Sequence, residues 1–383
     1  MDMHSKQQLT EAVAPRYFKA TKLEKTQILK EFCVNTGYER KYAIKKLRNQ
    51  FLYPKNNKKQ TRKKVSKYMP IKSTLRELWK VSDYASATRL HGVLPELVAK
   101  GLEYQEISPN QQQQELLSVV SPSSIQRLLA KEVRLRIRRL NGQTRSGKLK
   151  YDIPFAMDTD QADRPGTLEI DLVCHCGESA MGEFISTLNS TDFETGWYEA
   201  EAIMGKSQYA VDEAMKQIES RLPFDLLGID SDNGSEFING TLKRFADGRQ
   251  ISFTRSRPYK KNDNAHIEQK NYTHVRKVIG YMRFDTKEQQ DLLNDLYRKE
   301  LRLYINFFQP SQQLQEKVRV GSKIKRKYDK AKTPYQRVLE SKDISEEVKQ
   351  KLREQYKQLN PFALKRAIDR KLDRLFNTVI KQS

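Results

Sequence analysis

The sequence has few cysteines and lacks a long apolar run. Its three cysteines, Cys33, Cys174 and Cys176, are too few and too unevenly placed for a disulfide framework. We therefore expect a reducing, cytoplasmic compartment. No apolar run approaches the roughly 20 residues that span a bilayer, and the first residues are polar, without the apolar core of a signal peptide. These absences argue against a membrane protein and a secreted disulfide-rich protein.

Acidic residues are also in short supply relative to basic ones. The chain has 48 Asp and Glu against 71 Lys and Arg, a formal net charge of +23. Such an excess predicts a polyanionic partner, and nucleic acid is favoured over a membrane surface. The 383 residues, 37% of them hydrophobic, suggest two or three domains rather than one large body.

The amino-terminal region predicts a helix-turn-helix unit within residues 1–60. Residues 1–20 show no clear periodicity and are expected to be loose, whereas residues 23–51 have the apolar spacing of two helices joined at Gly37. The second helix is basic, with Arg40 and Lys45 as candidate DNA contacts. The alternative is an ordinary helical hairpin with a solvated basic face. The following run, residues 55–67, has seven basic residues and no acidic one, and indicates a linker or a DNA-tracking arm.

A second helical, DNA-binding region is predicted for residues 70–150. A Ser-Pro-Ser-Ser segment at residues 121–124 is a strong start signal for a helix. The apolar spacing that follows predicts a second helix-turn-helix, with a recognition helix beginning near Ser123 and Arg134 and Arg138 as candidate contacts. Residues 133–140 also alternate as a strand would, and periodicity alone leaves both readings open.

Residues 163–285 alternate between strand-like and helix-like patterns. The order is three strands, a helix, a strand, a helix, a strand and a last helix, with bounds 167–173, 183–188, 196–203, 206–222, 224–229, 236–246, 251–254 and 264–282. The remaining residues, 286–383, predict a carboxy-terminal helical and basic β region. It contains a helix at 292–308, short basic strands within 316–339 that could form a small barrel, and two charged helices within 343–382.

Three carboxylates are placed where separate elements could bring them together. Asp171 lies inside the first strand, Asp232 follows the fourth, and Glu268 lies on the last helix, with thirty-five residues between it and Asp232. Mg²⁺ prefers hard oxygen ligands and needs only a few carboxylates plus substrate phosphate. Taken singly, each acid could equally be an exposed polar residue, and Asp230 rivals Asp232 because alternate strand residues share a face.

These residues resemble the catalytic core of the DDE transposase and retroviral integrase superfamily. The resemblance covers residues 166–281 and rests on strand-borne Asp171, the run Asp232-Asn233-Gly234-Ser235-Glu236-Phe237, and Glu268 at its spacing. The run Arg255-Ser256-Arg257-Pro258-Tyr259 is similar to bacterial insertion-sequence transposases. A lone Asp-Asn-Gly would be weak, because it is commonly just a turn.

The resemblance implies a fold, a reaction and partners. The fold is a ribonuclease H-like α/β core, within a multidomain chain that has a helical helix-turn-helix region before it and a small basic β/α region after it. Asp171, Asp232 and Glu268 would be catalytic and would hold two Mg²⁺ or Mn²⁺ ions. The reaction would be 3′-end cleavage of an insertion sequence followed by strand transfer into target DNA. The partner is double-stranded DNA, bound by a homodimer or higher oligomer on the nucleoid, with no membrane.

Other polar residues are weaker candidates. Lys260, Lys261, Lys270 and Asn271 lie near the last acid and are candidate DNA contacts, though a solvated lysine is equally common. The Cys174-His175-Cys176 run does not predict zinc, since no second pair of Cys or His lies at a workable spacing.

Two rivals to the transposase remain open at this stage. One is a metal-dependent nuclease of the same fold that cuts DNA without joining it. The other is a non-catalytic DNA-binding protein from a decayed element.

Overall fold

The first compact unit, Met1–Ser66, is a bundle of three helices. The computed structural model describes residues 1–52, 66–141, 164–205, 207–231, 236–255, 271–320 and 323–380. The helices are α1 (Met3–Lys19), α2 (Lys22–Thr36) and α3 (Arg40–Leu52). Their shared core consists of Ala14, Leu29, Phe32, Ala43 and Leu47. The predicted pair of helices at residues 23–51 is confirmed.

The expectation of a loose segment at residues 1–20 is wrong. Asp2 caps α1 by accepting the Ser5 amide at 2.7 Å. Leu9, Val13 and Tyr17 then recur every four residues and pack on the core of the bundle. Gly37 makes the turn between α2 and α3 with a left-handed φ of 69°, and its N–H donates to the carbonyl of Cys33.

The second unit, Lys67–Ser383, begins with a helical region. A short 3₁₀ turn (Met69–Ile71) precedes α4 (Lys72–Val81), α5 (Ala87–Glu103), α6 (Gln111–Val119) and α7 (Pro122–Asn141). Ser121 starts α7, because its hydroxyl accepts the Ser124 amide and its carbonyl accepts the Ile125 amide. The backbone is helical through Asn141, so the strand alternative for residues 133–140 is wrong.

A five-stranded mixed sheet follows. Its strands are β1 (Thr167–Cys174), β2 (Ile185–Asp192), β3 (Tyr198–Met204), β4 (Gly228–Ser231) and β5 (Ser252–Arg255). The spatial order is β3-β2-β1-β4-β5. The first three strands are antiparallel neighbours, whereas β4 runs parallel to β1 and β5 parallel to β4. The predicted α/β class is confirmed, and the predicted bounds of β2 end four residues too early.

Helices cover both faces of this sheet. On one face, α8 (Gln208–Glu219) and α9 (Glu236–Arg249) pack against apolar residues of β1 and β4 such as Ile170 and Ile229. On the other face, Val173 and Ala202 pack against carboxy-terminal helices. Those helices include a π turn (Asn271–Arg276) that leads into α10 (Lys277–Ile279). The part of the predicted helix 264–282 that the structure describes is helical from Asn271 to Ile279, and it ends three residues earlier than predicted.

The carboxy-terminal region is mainly helical. α11 (Lys287–Leu296) runs through a π turn (Tyr297–Leu301) into α12 (Arg302–Phe308). β6 (Leu314–Val320) and β7 (Lys323–Tyr328) form a separate two-stranded sheet. α13 (Pro334–Glu340), α14 (Glu346–Gln358) and α15 (Pro361–Ile380) complete the described chain. The two charged helices predicted within residues 343–382 are confirmed. The expected small barrel is wrong, because residues 334–340 are helical and the described residues of this region form a two-stranded sheet.

No helix in the described ranges is both long and apolar enough to cross a membrane.

The helices α4 to α7 share one apolar cluster with Phe307, Tyr335 and Phe362 from the carboxy-terminal helices. The helical region, the sheet and the carboxy-terminal helices therefore form one compact unit.

Two buried carboxylates join the sheet to its flanking elements at the edge strand β3. Glu199 accepts hydrogen bonds from Arg221 at 2.9 Å, from Arg302 at 2.9 Å and from the Trp197 indole at 3.1 Å. Glu201 accepts Arg221 at 3.1 Å and Arg298 at 2.8 Å. Arg221 follows α8, while Arg298 and Arg302 belong to the π turn and α12. This acid–arginine network thus ties three separate chain segments together.

Another buried acid closes the end of β2. The carboxylate of Asp192 accepts the Gly166 amide at 2.8 Å and both the amide and the hydroxyl of Thr195 at 2.7 Å. Burial raises the pKa of Asp192 to about 6, against the opposing effect of these three donors.

Glu199→Gln is expected to lower the free energy of unfolding by about 3 kcal/mol, because the largely buried Arg302 loses its charged partner and Arg221 loses one of its two. Urea denaturation followed by circular dichroism measures the change. Glu347→Gln is the matched control, since it alters an exposed pair with Lys351 and should change stability by less than about 1 kcal/mol. Equal, small effects of the two substitutions would contradict a stabilising role for the network.

Asp192→Asn should become more stable relative to wild type as the pH rises from 4 to 7.5. The pKa of Asp192 in the folded protein lies above the unfolded value of about 3.9. The stability that Asp192 contributes is therefore fully present below pH 4 and is lost as the pH rises through about 6. The predicted gain is up to about 3 kcal/mol, at 1.36 kcal/mol per pK unit. Thermal melts of both proteins at each pH test this, with Asp212→Asn, at a partly exposed position of α8, as control. A stability difference that stays constant or falls with pH would refute the prediction.

Candidate active site

The candidate site begins at Asp171, on the central strand of the sheet. β1 has β2 on one side and β4 on the other, and Asp171 pairs in register with Asn189 of β2. The side chain is half-buried, and its Oδ1 accepts the amide of Leu172 at 2.7 Å. Because strand residues alternate, Asp171 lies on the opposite face from Ile170 and the α8–α9 core.

Two further carboxylates share that face. Glu169 is two residues before Asp171 and only 3% exposed. It pairs in register with Asp230 of β4, whose Oδ1 accepts the Thr254 hydroxyl of β5 at 2.6 Å. The sequence had already marked Asp230 as a rival ligand. It missed Glu169, although period-two alternation with Asp171 was a usable signal.

The carboxyl end of β4 lies beside the middle of β1. Ser231, the last residue of β4, pairs in register with Ile170. The next residue in the chain is Asp232, which lies outside the described residues, as does Glu268. The structure therefore describes one of the three predicted ligands and the strand that leads to the second.

His175, at the end of β1, is a buried structural residue. Its Nε2 lies 2.7 Å from the Thr187 hydroxyl, which in turn lies 2.8 Å from the Tyr297 hydroxyl. Burial, assisted by the positive charge of Arg276, lowers the pKa of His175 to about 3. The imidazole is therefore neutral at physiological pH. Its neighbours in this chain of contacts are hydroxyl groups.

Within the described ranges, no group of three or more His, Cys, Asp and Glu side chains has the arrangement of a metal site. This statement does not extend to Asp232 and Glu268. Carboxylates alone would supply the ligands, and oxygen is the ligand that Mg²⁺ prefers. Glu169, Asp171 and Asp230 by themselves do not have the arrangement of a metal site.

The predicted DNA contacts fall into two groups. Arg40, the first residue of α3, and Lys45 are exposed on that helix. For the others, the side chains lie outside the described part of the structure: Arg134, Arg138, Lys260, Lys261, Lys270 and Asn271. The backbone of the first two is helical in α7, and Asn271 begins the π turn.

Comparison with known proteins gives a relative without a stated activity. No protein-family model matches the chain. It is 35% identical over 334 residues to a protein of Sinorhizobium fredii (strain NBRC 101917 / NGR234) described as "Uncharacterized protein y4rM". The match covers 86% of this chain and 93% of the relative. The chain therefore belongs to the same family as the uncharacterized protein y4rM.

Proposed function

We propose that this chain is a DDE-type polynucleotidyl transferase, a DNA transposase with a ribonuclease H-like core. One observation carries the proposal. Asp171 lies on the central strand β1, and the parallel neighbour β4 ends at Ser231, immediately before Asp232-Asn233-Gly234 in the chain. Two of the three acids named by the resemblance are thus borne on, or directly follow, adjacent parallel strands.

The order of elements supports the fold part of the proposal. Three antiparallel strands, a helix, a strand, a helix and a strand follow each other along the chain, which is the order that the resemblance implies. In α/β sheets, ligands commonly bind outside the carboxyl ends of parallel strands. Asp232 follows such an end, so the acids belong to the part of the sheet where a site is expected.

The acids would act by holding divalent metal ions. Asp171, Asp232 and Glu268 would be the ligands, and bound Mg²⁺ or Mn²⁺ would activate an attacking oxygen and stabilise the leaving one. Asp171 is suited to this task because its strand is fixed on both sides by hydrogen-bonded neighbours. A rigid strand holds a ligand more reproducibly than a loop does.

The substrate would be double-stranded DNA, at element ends and in the target. The net charge of +23 favours a polyanion. In the first unit, a glycine turn joins α2 to the basic helix α3, which carries exposed Arg40 and Lys45. This arrangement suits a helix-turn-helix reading of the major groove.

Asp171→Asn should abolish strand transfer, on the order of a hundredfold or more, because a metal ligand contributes several kcal/mol to the reaction. The asparagine keeps the acceptor oxygen toward Leu172, so folding and DNA binding should persist. A strand-transfer assay with labelled element ends and Mg²⁺ or Mn²⁺ measures activity, and a gel-shift assay measures binding. Joined products should also disappear with EDTA and with Glu268→Gln. The matched control, Asp212→Asn on α8, should stay active.

The outcomes separate the three candidate functions. Joining that depends on Asp171 establishes the transposase. Cleavage without joining, even of a pre-cut 3′-hydroxyl end, would replace it with a nuclease. Binding with neither reaction would leave a DNA-binding protein.

Asp232→Asn and Asp230→Asn together test which acid after the fourth strand is the ligand. Asp232→Asn should abolish transfer and leave end binding largely intact. Asp230→Asn should retain transfer, because Asp230 already accepts the Thr254 hydroxyl and asparagine can do the same. Both variants are assayed side by side, with thermal melts to confirm folding. Loss of activity only in Asp230→Asn would overturn the assignment of Asp232.

A further inference from the structure

The paired strands β6 and β7 form a strongly basic element that the catalytic proposal does not use. We call these two strands the basic ribbon. Their sequences contain six Lys and Arg and one acid, Glu316. The basic residues are Lys317, Arg319, Lys323, Lys325, Arg326 and Lys327. The pairing is antiparallel, with Val318 opposite Lys325 and Lys317 opposite Arg326.

Neither face of the basic ribbon is covered over residues 325–328 of β7. A strand with one buried face would bury every second residue. Here the four consecutive residues 325–328 are all exposed. Lys325, Arg326 and Lys327 form no ion pair within the described residues. Three positive charges therefore face solvent on both sides of a narrow two-stranded element.

The base of the basic ribbon is firmly attached to the second unit. Asp329, directly after β7, forms a largely buried ion pair with Arg337 of α13 at 2.7 Å. Asp329 also accepts the Gln313 amide at 2.7 Å, just before β6. The Gln313 side chain donates to the carbonyl of Glu194, in the loop between β2 and β3, at 2.7 Å. The ribbon is thus exposed at residues 325–328 and attached at its base to α13 and to the loop between β2 and β3.

We propose that the basic ribbon binds duplex DNA by entering the major groove. The groove is about 12 Å wide and admits a two-stranded ribbon. Seven residues of β6 extend about 24 Å at 3.4 Å per residue, enough to follow several base pairs. This inference deepens the proposed function and rests on its DNA-binding part, but not on the acids. It adds a DNA contact outside both helix-turn-helix candidates.

The composition of the basic ribbon fits DNA better than an acidic protein. Its charge is nearly uniform, as suits a regular row of phosphates. Val318 and Tyr328 are 43% and 44% exposed, so apolar surface lies among the cations. Such side chains can contact thymine methyl groups and sugars inside a groove. We therefore commit to duplex DNA as the partner.

The test removes three positive charges from the ribbon and compares the effect on DNA binding with that of removing three positive charges from another part of the surface. The ribbon variant is Lys325→Gln, Arg326→Gln and Lys327→Gln. The control changes three exposed lysines in or near α14, namely Lys342→Gln, Lys351→Gln and Lys357→Gln. Both remove the same net charge from the full-length chain. Binding of a labelled random-sequence duplex is measured by fluorescence anisotropy from 50 to 250 mM salt.

The ribbon variant should bind the duplex at least tenfold more weakly. Its log–log salt slope should be shallower by about 2 to 3, at about 0.9 per lost phosphate contact. The control should keep the wild-type slope. A variant that keeps positive charge, Lys325→Arg with Lys327→Arg, should also keep it. Thermal melts verify that each protein is folded.

Three results would overturn the inference, and they differ in what else they affect. If the wild type binds duplex and the ribbon variant matches the control in affinity and slope, the ribbon is not a DNA contact, while the proposed transposase stands. If the wild type does not bind duplex at all, the ribbon inference and the proposed function fail together. If the ribbon variant loses equal affinity for single-stranded and for duplex DNA, relative to wild type, binding in the major groove would also be overturned.

Discussion

The fold depends on a small number of carboxylates that are buried in the protein interior. On the edge strand β3, Glu199 and Glu201 are nearly inaccessible to solvent and are held by arginines from two other segments. An isolated buried carboxylate is strongly unfavourable, and each must therefore keep its partner. The stability of the native sheet therefore depends in part on the segment around Arg302. The carboxy-terminal helices are an integral part of the α/β unit rather than an appended domain.

This constraint also fixes the surroundings of Asp171. β3 is joined to α12, β2 pairs with β3, and β1 pairs with β2. The position of the central strand β1 is therefore set through β2 by the edge strand β3. Helices then cover both faces of the sheet. The characteristic feature of the site is the parallel pair β1–β4, whose carboxyl ends point to the same end of the sheet. In such sheets that edge is where ligands bind.

The sequence predicted the types of the elements better than their exact limits. It also predicted them better than the contacts between residues that are distant in the chain. Strong alternation and turn signals located Asp171 and the strand before Asp232. The first helix was missed because Pro15 lies inside it and its apolar face is short, so tertiary packing on α3 decides its state. The arginine partners of Glu199 could not be predicted, since they depend on contacts between residues 22 and 103 positions apart in the chain. Glu169 shows the same limit on a smaller scale, because its register with Asp230 exists only once the sheet forms.

Charge separation connects the proposed catalytic site with the proposed DNA contacts. Exposed cations on α3 and on the basic ribbon would attract phosphate, whereas the half-buried carboxylate of Asp171 on β1 would repel it locally. A protein that binds DNA gains nothing from acids near the substrate unless a cation separates carboxylate from phosphate. A divalent ion removes this conflict, because carboxylate and phosphate oxygens both serve as its ligands. The net charge and the acids on the sheet therefore favour the same chemistry, although each was inferred from different residues.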